Sequence, residues 1–217
     1  MRSFLRTTIV VFILCYHSIA FSSGGYDNGT PAGKRHLNLD FTINPLNYFK
    51  YGQSYVVWGY GLTNKLDFHG YAARPASGIN QIYGGLMYNF ISNKYLDLST
   101  AIGLRFRKGA VDPFFPQLLY TIKLPKGFDI IGSVVLVYYT DQKFKNITSY
   151  DVVRDNYKPG VTFDIALRLP LPVKKLPAFI EDAKFTIGAF RGVSYKWYPT
   201  YSVDIRFNLS NIKKKNA

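Results

Sequence analysis

Two side chains with acid–base chemistry stand close together in the sequence. Asp67 and His69 are two positions apart in the segment LDFHGYA (66–72), and in a strand this spacing places both side chains on one face. In a hydrolase triad, an imidazole that is oriented by a carboxylate acts as the base for a serine. The sequence fixes no serine near them, so a hydrogen bond between Asp67 and His69 is the favoured interpretation and no catalytic residue is assigned.

The residue types for metal or cofactor chemistry are few. The histidines beyond the first twenty residues are His36 and His69, and the single cysteine is Cys15. A transition-metal site in a protein is built from several His, Cys or carboxylate ligands. The sequence contains neither a P-loop nor a dinucleotide-binding fingerprint. We therefore predict no metal, no cofactor and no enzymatic activity.

A larger set of charged residues recurs at every second position of apolar stretches. In 96–107 an apolar set that starts at Leu96 alternates with a polar set that starts at Asp97, and 160–169 and 200–209 repeat this pattern. An Arg or Lys at the midplane of a lipid bilayer costs about 2–4 kcal/mol, so the polar set must face the interior. The predicted interior residues are Asp40, Asp67, Asp97, Asp129, Asp164, Asp204, Arg105, Arg107, Lys123, Arg168 and Arg206.

Strands that close on one another would position these residues, and the sequence repeats one hairpin unit. The stretches 55–72, 85–106 and 118–139 each join two alternating strands through a short polar turn. Such recurrence is typical of an up-and-down barrel. We predict an all-β, antiparallel up-and-down transmembrane β-barrel of about ten strands, with eight as the alternative. The predicted strands are 35–43, 53–62, 66–73, 80–90, 96–107, 116–124, 128–139, 160–169, 184–192 and 200–209.

The connections alternate in length along this predicted barrel. The short turns are at 63–65, 91–95 and 125–127, and the mostly longer connections are at 44–52, 74–79, 108–115, 140–159 and 193–199. In bacterial barrels the short turns lie on the periplasmic side and the long loops lie outside. The Pro-rich connection 170–183 is a long exception on the short-turn side.

The N-terminus has the layout of an export signal. Arg2 and Arg6 precede an apolar run at 7–20 that ends in Ser18-Ile19-Ala20, which supplies small residues for cleavage. The run is shorter than the roughly twenty residues of a membrane-spanning helix. We predict a signal peptide at 1–20, a flexible leader at 21–34, the barrel at 35–209 and a basic tail at 210–217.

The composition and the strand pattern together resemble one class of proteins. Aromatic residues make up 17% of the chain, with 18 Tyr and 17 Phe, and transmembrane barrels collect such residues in girdles at both interfaces. The chain resembles bacterial outer-membrane β-barrel proteins, and YGLTNKLDFHGYA (60–72) resembles a hairpin of transport barrels. The resemblance implies the outer membrane of a Gram-negative cell as the location. It also implies outer-membrane lipids, lipopolysaccharide and the barrel-assembly machinery as partners. The end SNIKKKNA departs from the class, in which an aromatic residue closes the chain.

Three functions are compatible with these features. The first is a small porin-like or solute-uptake barrel, in which the basic residues line a narrow lumen for a small anionic solute. The second is a closed structural barrel whose Arg–Asp pairs fill the interior and which acts through its outer loops and lipopolysaccharide contacts. The third is a lipid-modifying or proteolytic barrel enzyme, although the His-Ser and Asp-His signatures of such enzymes are not intact here.

The charge and the loops indicate where partners would bind. The formal net charge of +14 favours anionic partners, but no nucleic-acid recognition motif is present and nucleic acid is not predicted as a partner. The loop 140–159 is the longest predicted outer connection. Tyr195, Trp197 and Tyr198 form either a girdle at the membrane surface or a stacking platform for a ligand.

Overall fold

Ten antiparallel strands close on themselves in the computed structural model, which describes residues 28–43, 54–74, 80–107, 110–137, 160–172, 176–191 and 197–210. The strands are β1 (His36–Ile43), β2 (Ser54–Gly61), β3 (Leu66–Arg74), β4 (Gln81–Ser92), β5 (Leu96–Arg107), β6 (Ala110–Lys123), β7 (Asp129–Val137), β8 (Gly160–Pro170), β9 (Ile180–Arg191) and β10 (Trp197–Asn208). Each strand pairs with its sequence neighbours, and β1 also pairs with β10. The predicted closed up-and-down barrel is confirmed. Among the described residues, no helix is long and apolar enough to cross a membrane.

The outer surface of the barrel is apolar. Every second side chain of a strand points away from the interior, and in these strands the outward side chains are mostly apolar. Ile82 and Ile102 are each 56% exposed, and Phe106 is 49% exposed. In β5 the alternate residues Asp97, Ser99 and Ala101 are buried inside. An apolar surface of this extent suits lipid and is rare on soluble monomers.

The seam between β1 and β10 closes the barrel without an irregularity. Its register runs from His36 opposite Asn208 to Ile43 opposite Tyr201, and it brings Asp40 opposite Asp204. Closure removes both free sheet edges, so the backbone donors and acceptors of the edge strands are paired.

The short turns follow from the polar residues that the sequence places between strands. Asn93 Oδ1 accepts hydrogen bonds from the amides of Tyr95 and Leu96 at 2.8 and 2.9 Å. In the turn between β6 and β7, Lys126 and Gly127 both have positive φ, near 63° and 78°. Two successive residues with positive φ reverse the chain within a few residues, and glycine at position 127 adopts that conformation without strain. We call the end of the barrel that carries these turns, the start of β1 and the end of β10 the turn end.

The loop predicted at 108–115 is mostly strand, because β6 begins at Ala110. Pro113 lies in this predicted loop and Pro116 begins the predicted strand 116–124, and proline cannot donate to a sheet ladder. Register shifts on both edges of β6 accommodate them, one at Ala101/Gly103 of β5 and one between Phe114 and Gln117 of β6. Bulges of this kind are where strands tolerate proline.

Strand β9 also begins earlier than predicted, at Ile180 instead of residue 184. Ile180 lies opposite Phe207 of β10, and a bulge between Arg206 and Phe207 adjusts the register. The end of β10 needs a partner for its backbone, and residues 180–183 supply it. The Pro-rich connection is therefore limited to 171–179.

Candidate functional site

The turn end of the barrel contains a charged cavity of about 350 Å³, which we call the chamber. It lies between the strand ends and the N-terminal segment 28–34. Its charged lining residues are Asp40, Asp67, Asp129, Asp182 and Asp204, together with Lys123, Arg168, Lys184 and Arg206. Both signs of charge are present in similar number, so the chamber can hold polar solutes or bury ion pairs.

On one side of the chamber, Asp129 of β7 holds two cations. Its Oδ2 accepts hydrogen bonds from Arg168 Nε at 3.0 Å and from Arg168 Nη2 at 2.9 Å. The same oxygen accepts a third bond from Lys184 Nζ at 2.9 Å. Asp129 and Arg168 are cross-strand partners, whereas Lys184 reaches over from β9. The three side chains form a buried ion triad.

Asp97 of β5 is the second anchor of charge at the turn end. Its Oδ1 accepts hydrogen bonds from Lys123 Nζ at 2.8 Å and from Ser92 Oγ at 2.7 Å. Its Oδ2 accepts a bond from Thr30 Oγ1 at 2.9 Å. The carboxylate thereby connects β4, β5 and β6 to the N-terminal segment.

The carboxyl pair at the seam is surrounded by hydroxyl groups. Asp40 accepts hydrogen bonds from Thr42 Oγ1 at 2.6 Å and from Ser202 Oγ at 2.8 Å. Asp204 accepts one from Thr186 Oγ1 at 2.7 Å. This pair forms the inner boundary of the chamber between β1 and β10.

The N-terminal segment 28–34 lies inside the turn end instead of outside the barrel. The amide of Gly29 donates to Thr121 Oγ1 at 3.1 Å, and its carbonyl accepts bonds from Asn89 Nδ2 at 3.0 Å and Ser99 Oγ at 2.6 Å. The amide of Ala32 donates to Asp67 Oδ2 at 2.6 Å. Arg206 Nη2 donates to the carbonyl of Ala32. The described part of the predicted flexible leader is thus tied to four strands and to the end of β10.

The segment passes so close to the wall that it needs glycine at position 29. A Cβ on Gly29 would lie 2.6 Å from the carbonyl oxygen of Asp97 and 2.7 Å from that of Leu119. Both contacts are to backbone atoms, which cannot move aside as a side chain can. Any larger residue at position 29 therefore forces the segment away from β5 and β6.

Beyond the chamber, a layer of side chains fills the middle of the barrel. Tyr83, Gln117, Leu119 and Ile131 are each at most 2% exposed, and Gln117 Nε2 donates to Tyr83 Oη at 2.7 Å. The ring of Tyr83 lies against Gly103, where a Cβ would come within 2.6 Å of it. Ile131 and Val135 form an apolar patch on the inward face of β7, and the pairing of β7 with β8 contains no register shift.

The Asp67–His69 pair occupies the chamber wall. Both side chains are buried, with exposures of 1% and 5%, and both line the cavity. The His69 ring meets Tyr83 edge-on at a centroid distance of 5.6 Å. Asp67 uses one carboxylate oxygen for Ala32 of the N-terminal segment, so its described contact is structural.

The other predicted residues fall at different places. Arg105 is buried on the inward face of β5, opposite Tyr83 of β4, and its exposure is 7%. Asp164 accepts hydrogen bonds from the Ser133 amide and hydroxyl at 2.7 and 2.6 Å. The side chains of Arg107, Trp197 and Tyr198 lie outside the described part, as do Tyr195 and the loop 140–159. Their proposed roles stay predictions.

Three contributors to the chamber were not identified from the sequence: Asp182, Lys184 and the segment 28–34. Lys184 stands in alternation with Phe185, in phase with the inward Thr186, and that phase could have marked it as an interior residue. The segment 28–34 carried no such signal, because its contacts are with residues far along the chain. Within the described residues, no group of three or more His, Cys, Asp or Glu side chains could hold a metal ion.

Comparison with known proteins yields only distant likenesses. No family model matches the sequence, and no curated protein matches it. Similar solved structures include OccK3 (OpdO) of Pseudomonas aeruginosa, with 12% identity and a TM-score of 0.31 over 72% of this chain. They also include OpdQ of the same organism, with 10% identity and a TM-score of 0.28 over 87% of this chain. The chain spans 56% and 60% of the lengths of these two proteins.

The class of the protein follows from the barrel itself. The closed antiparallel barrel, its apolar outer surface and its charged interior define a β-barrel of the outer-membrane type. This agrees with the resemblance that the sequence shows to bacterial outer-membrane barrels.

Proposed function

We propose that the chain is a porin-like solute-uptake barrel of the bacterial outer membrane, with a narrow path and no enzymatic activity. Under this proposal, residues 1–20 direct export and are cleaved, and the barrel-assembly machinery inserts the chain into the membrane. The turn end then faces the periplasm, as short turns do in bacterial barrels. Outer-membrane lipids and lipopolysaccharide surround the apolar outer face.

The chamber is the observation that carries the proposal. Charged side chains inside a closed barrel do not contact lipid. Here they line a cavity large enough for a small molecule. A purely structural barrel could fill its interior with apolar side chains at a lower cost in folding free energy, because buried ion pairs seldom stabilise a protein more than apolar packing does.

A preference for anions depends on where basic residues lie along the path. Lys123 and Arg168 lie in the chamber, next to Asp97 and Asp129. Arg105 lies opposite Tyr83, on the half of β5 toward the end that carries the longer loops. It is therefore level with the layer that a solute must pass, and we place the anion-selecting role that the sequence suggested on Arg105 and on Arg107 of the same strand.

The closed structural barrel is the second candidate, and the Tyr83 layer favours it. Leu119 and Ile131 are completely buried in the middle of the barrel, and a ten-stranded barrel has little interior to spare. Without a movement of this layer, solutes would not pass. The two functions therefore differ in whether the folded barrel conducts ions.

Single-channel recording in planar bilayers distinguishes the two candidates and tests Arg105. We expect the refolded chain to give discrete steps with an anion preference. Arg105→Glu should shift the anion-to-cation permeability ratio toward cations by about tenfold, which corresponds to about 1.4 kcal/mol between charge signs. The change reverses one charge inside the path, and the reversal potential in a salt gradient reports it.

Lys65→Glu is the matched control, because it makes the same charge change in an exposed turn at the opposite end. The control should leave the permeability ratio unchanged. Folded barrels without conductance would instead support the closed structural barrel, and equal shifts in both variants would show that Arg105 does not line the path.

A further inference from the structure

We propose that the ring of Tyr83 is the gate of the solute path, and that the recess which it fills connects the chamber with the level of Arg105. This inference assigns the control of passage to one residue, and it rests on the proposed uptake function only in treating the passage of solutes as the task of the barrel. Three features of the described residues support it: a recess in the inner wall, a ring that fills it through reversible contacts, and the position of the recess next to the chamber.

The recess is formed by two glycines that lie opposite each other on the inner wall. Gly85 of β4 and Gly103 of β5 are cross-strand partners, and both are in the inward phase of their strands. Since neither has a side chain, the wall is lower here than at the positions on either side. The ring of Tyr83 occupies the space, because a Cβ on Gly103 would lie 2.6 Å from its Cε2 and a Cβ on Gly85 would lie 2.8 Å from its Oη.

The Tyr83 side chain extends over three strands of the wall. It starts on β4, its ring lies over Gly103 of β5, and its Oη accepts a hydrogen bond from Gln117 Nε2 of β6 at 2.7 Å. Among the described residues, it is the largest of the fully buried side chains. Tyr83 therefore fills more of the middle layer than Leu119 or Ile131, the fully buried aliphatic side chains of that layer.

The contacts that hold the ring can be broken and formed again without moving the backbone. The ring stacks on Tyr71 of β3, with centroids 5.3 Å apart and an interplanar angle of 22°, and it meets His69 edge-on at 5.6 Å. Ring contacts and single hydrogen bonds each contribute only modestly to the stability of a folded protein. A tyrosine side chain moves between staggered rotamers as a unit. A change of rotamer at Tyr83 therefore empties the recess while β4 and β5 stay paired.

The emptied recess joins the chamber to the level of Arg105. On the chamber side, His69 is the cross-strand partner of Gly85, and Met87 is the next inward residue of β4. Both His69 and Met87 line the chamber. On the other side, Arg105 is the next inward residue of β5 after Gly103. A solute that leaves the recess therefore meets Arg105, so passage and charge selection are controlled at one level of the barrel.

Tyr83→Ala removes the gate and should raise the single-channel conductance of the refolded chain in planar bilayers several-fold. The anion preference should remain, because Arg105 is unchanged. Tyr88→Ala is the matched control, since it makes the same exchange on the same strand, where the Tyr88 side chain is 49% exposed on the lipid-facing side. The control should leave the conductance unchanged.

Tyr83→Phe tests what holds the ring in the recess. It keeps the ring but lacks the oxygen that accepts the hydrogen bond from Gln117. Loss of this bond should raise the ratio of open to closed time by about two- to tenfold. Because residues 28–34 lie inside the turn end, each variant is also recorded in the Gly29→Val background, which displaces that segment.

An equal rise in Tyr88→Ala, or no conductance from folded Tyr83→Ala in the Gly29→Val background, would overturn the inference. Migration of unheated samples on gels shows whether each variant is folded. If Tyr83→Ala is not folded, Tyr83→Phe decides, and an unchanged ratio of open to closed time overturns the inference. A silent parent with a conducting Tyr83→Ala would refute uptake by the parent and leave the gate standing. A conducting parent whose conductance Tyr83→Ala does not change would refute the gate alone.

Discussion

Asp129→Asn is expected to lower the free energy of unfolding by about 3–5 kcal/mol, the usual cost of breaking a buried ion pair from one side. One oxygen of Asp129 holds Arg168 at 2.9 Å and Lys184 at 2.9 Å. The side chains of the three residues are only 8%, 11% and 17% exposed, so water compensates little of the lost charge. The variant leaves two like charges adjacent inside the barrel. Urea titration in lipid vesicles, followed by tryptophan fluorescence, measures the loss.

Asp182→Asn is the matched control for this prediction. Asp182 also contacts Lys184, at 3.4 Å, but its side chain is 43% exposed. Exposed pairs contribute about 0–1 kcal/mol, so this variant should unfold almost as the parent does. The effect of Asp129→Asn should also persist in concentrated salt, which screens exposed charges and hardly reaches buried ones. Equal losses in the two variants would contradict the assignment of Asp129 as the centre of the triad.

The strands were predictable because lipid imposes a strict alternation on them. The predicted and observed ranges of β5 coincide at 96–107, where five apolar residues and Thr100 alternate with six residues that are polar or small. In β5 and β10 the same alternation also placed Asp97, Arg105 and Arg206 in the interior. A one-residue slip would expose these charges to lipid, so the phase of such a strand is well determined.

Prediction failed where a local signal opposed a need of the whole barrel. The stretch 108–115, which contains Pro113, was predicted as a loop, but β6 begins at Ala110, because the outer half of β5 needs a partner and bulges allow β6 to provide it. The same holds for residues 180–183, which are strand because the end of β10 must be paired. Local composition cannot report such a requirement, because it arises only when the sheet closes.

The N-terminal segment shows the same limit at the functional site. Its Gly, Asn and Thr residues are typical of a flexible leader. Inside the barrel, however, buried polar side chains near the turn end need hydrogen-bond partners. The backbone of Gly29 forms a hydrogen bond with each of Asn89, Ser99 and Thr121. The partners are 60 to 92 residues away, so no short-range pattern connects them to the segment.

Segment 28–34 is expected to close the chamber from the turn end, and Gly29→Val should open it. The valine side chain would collide with the backbone of β5 and β6, and overpacking of this kind costs about 1–3 kcal/mol. A thiol placed by Met87→Cys reports the opening. Met87 is 3% exposed and lines the chamber, and the thiol would be the only cysteine in a chain that starts at residue 21. Its reaction with a water-soluble maleimide should be about tenfold faster in the Gly29→Val background.

Gly84→Val in the same Met87→Cys background controls for the exchange itself and should leave the labelling rate unchanged, because a Cβ at Gly84 meets only Phe68, at 3.8 Å. A slow thiol in folded Gly29→Val would mean that the segment does not limit access to the chamber. Faster labelling would instead show that the chain's own N-terminal segment, held by Asp67, Asp97 and Arg206, restricts entry from the turn end. Passage through the barrel would then require this segment to leave the polar groups it satisfies, so those hydrogen bonds would set the barrier at the turn end.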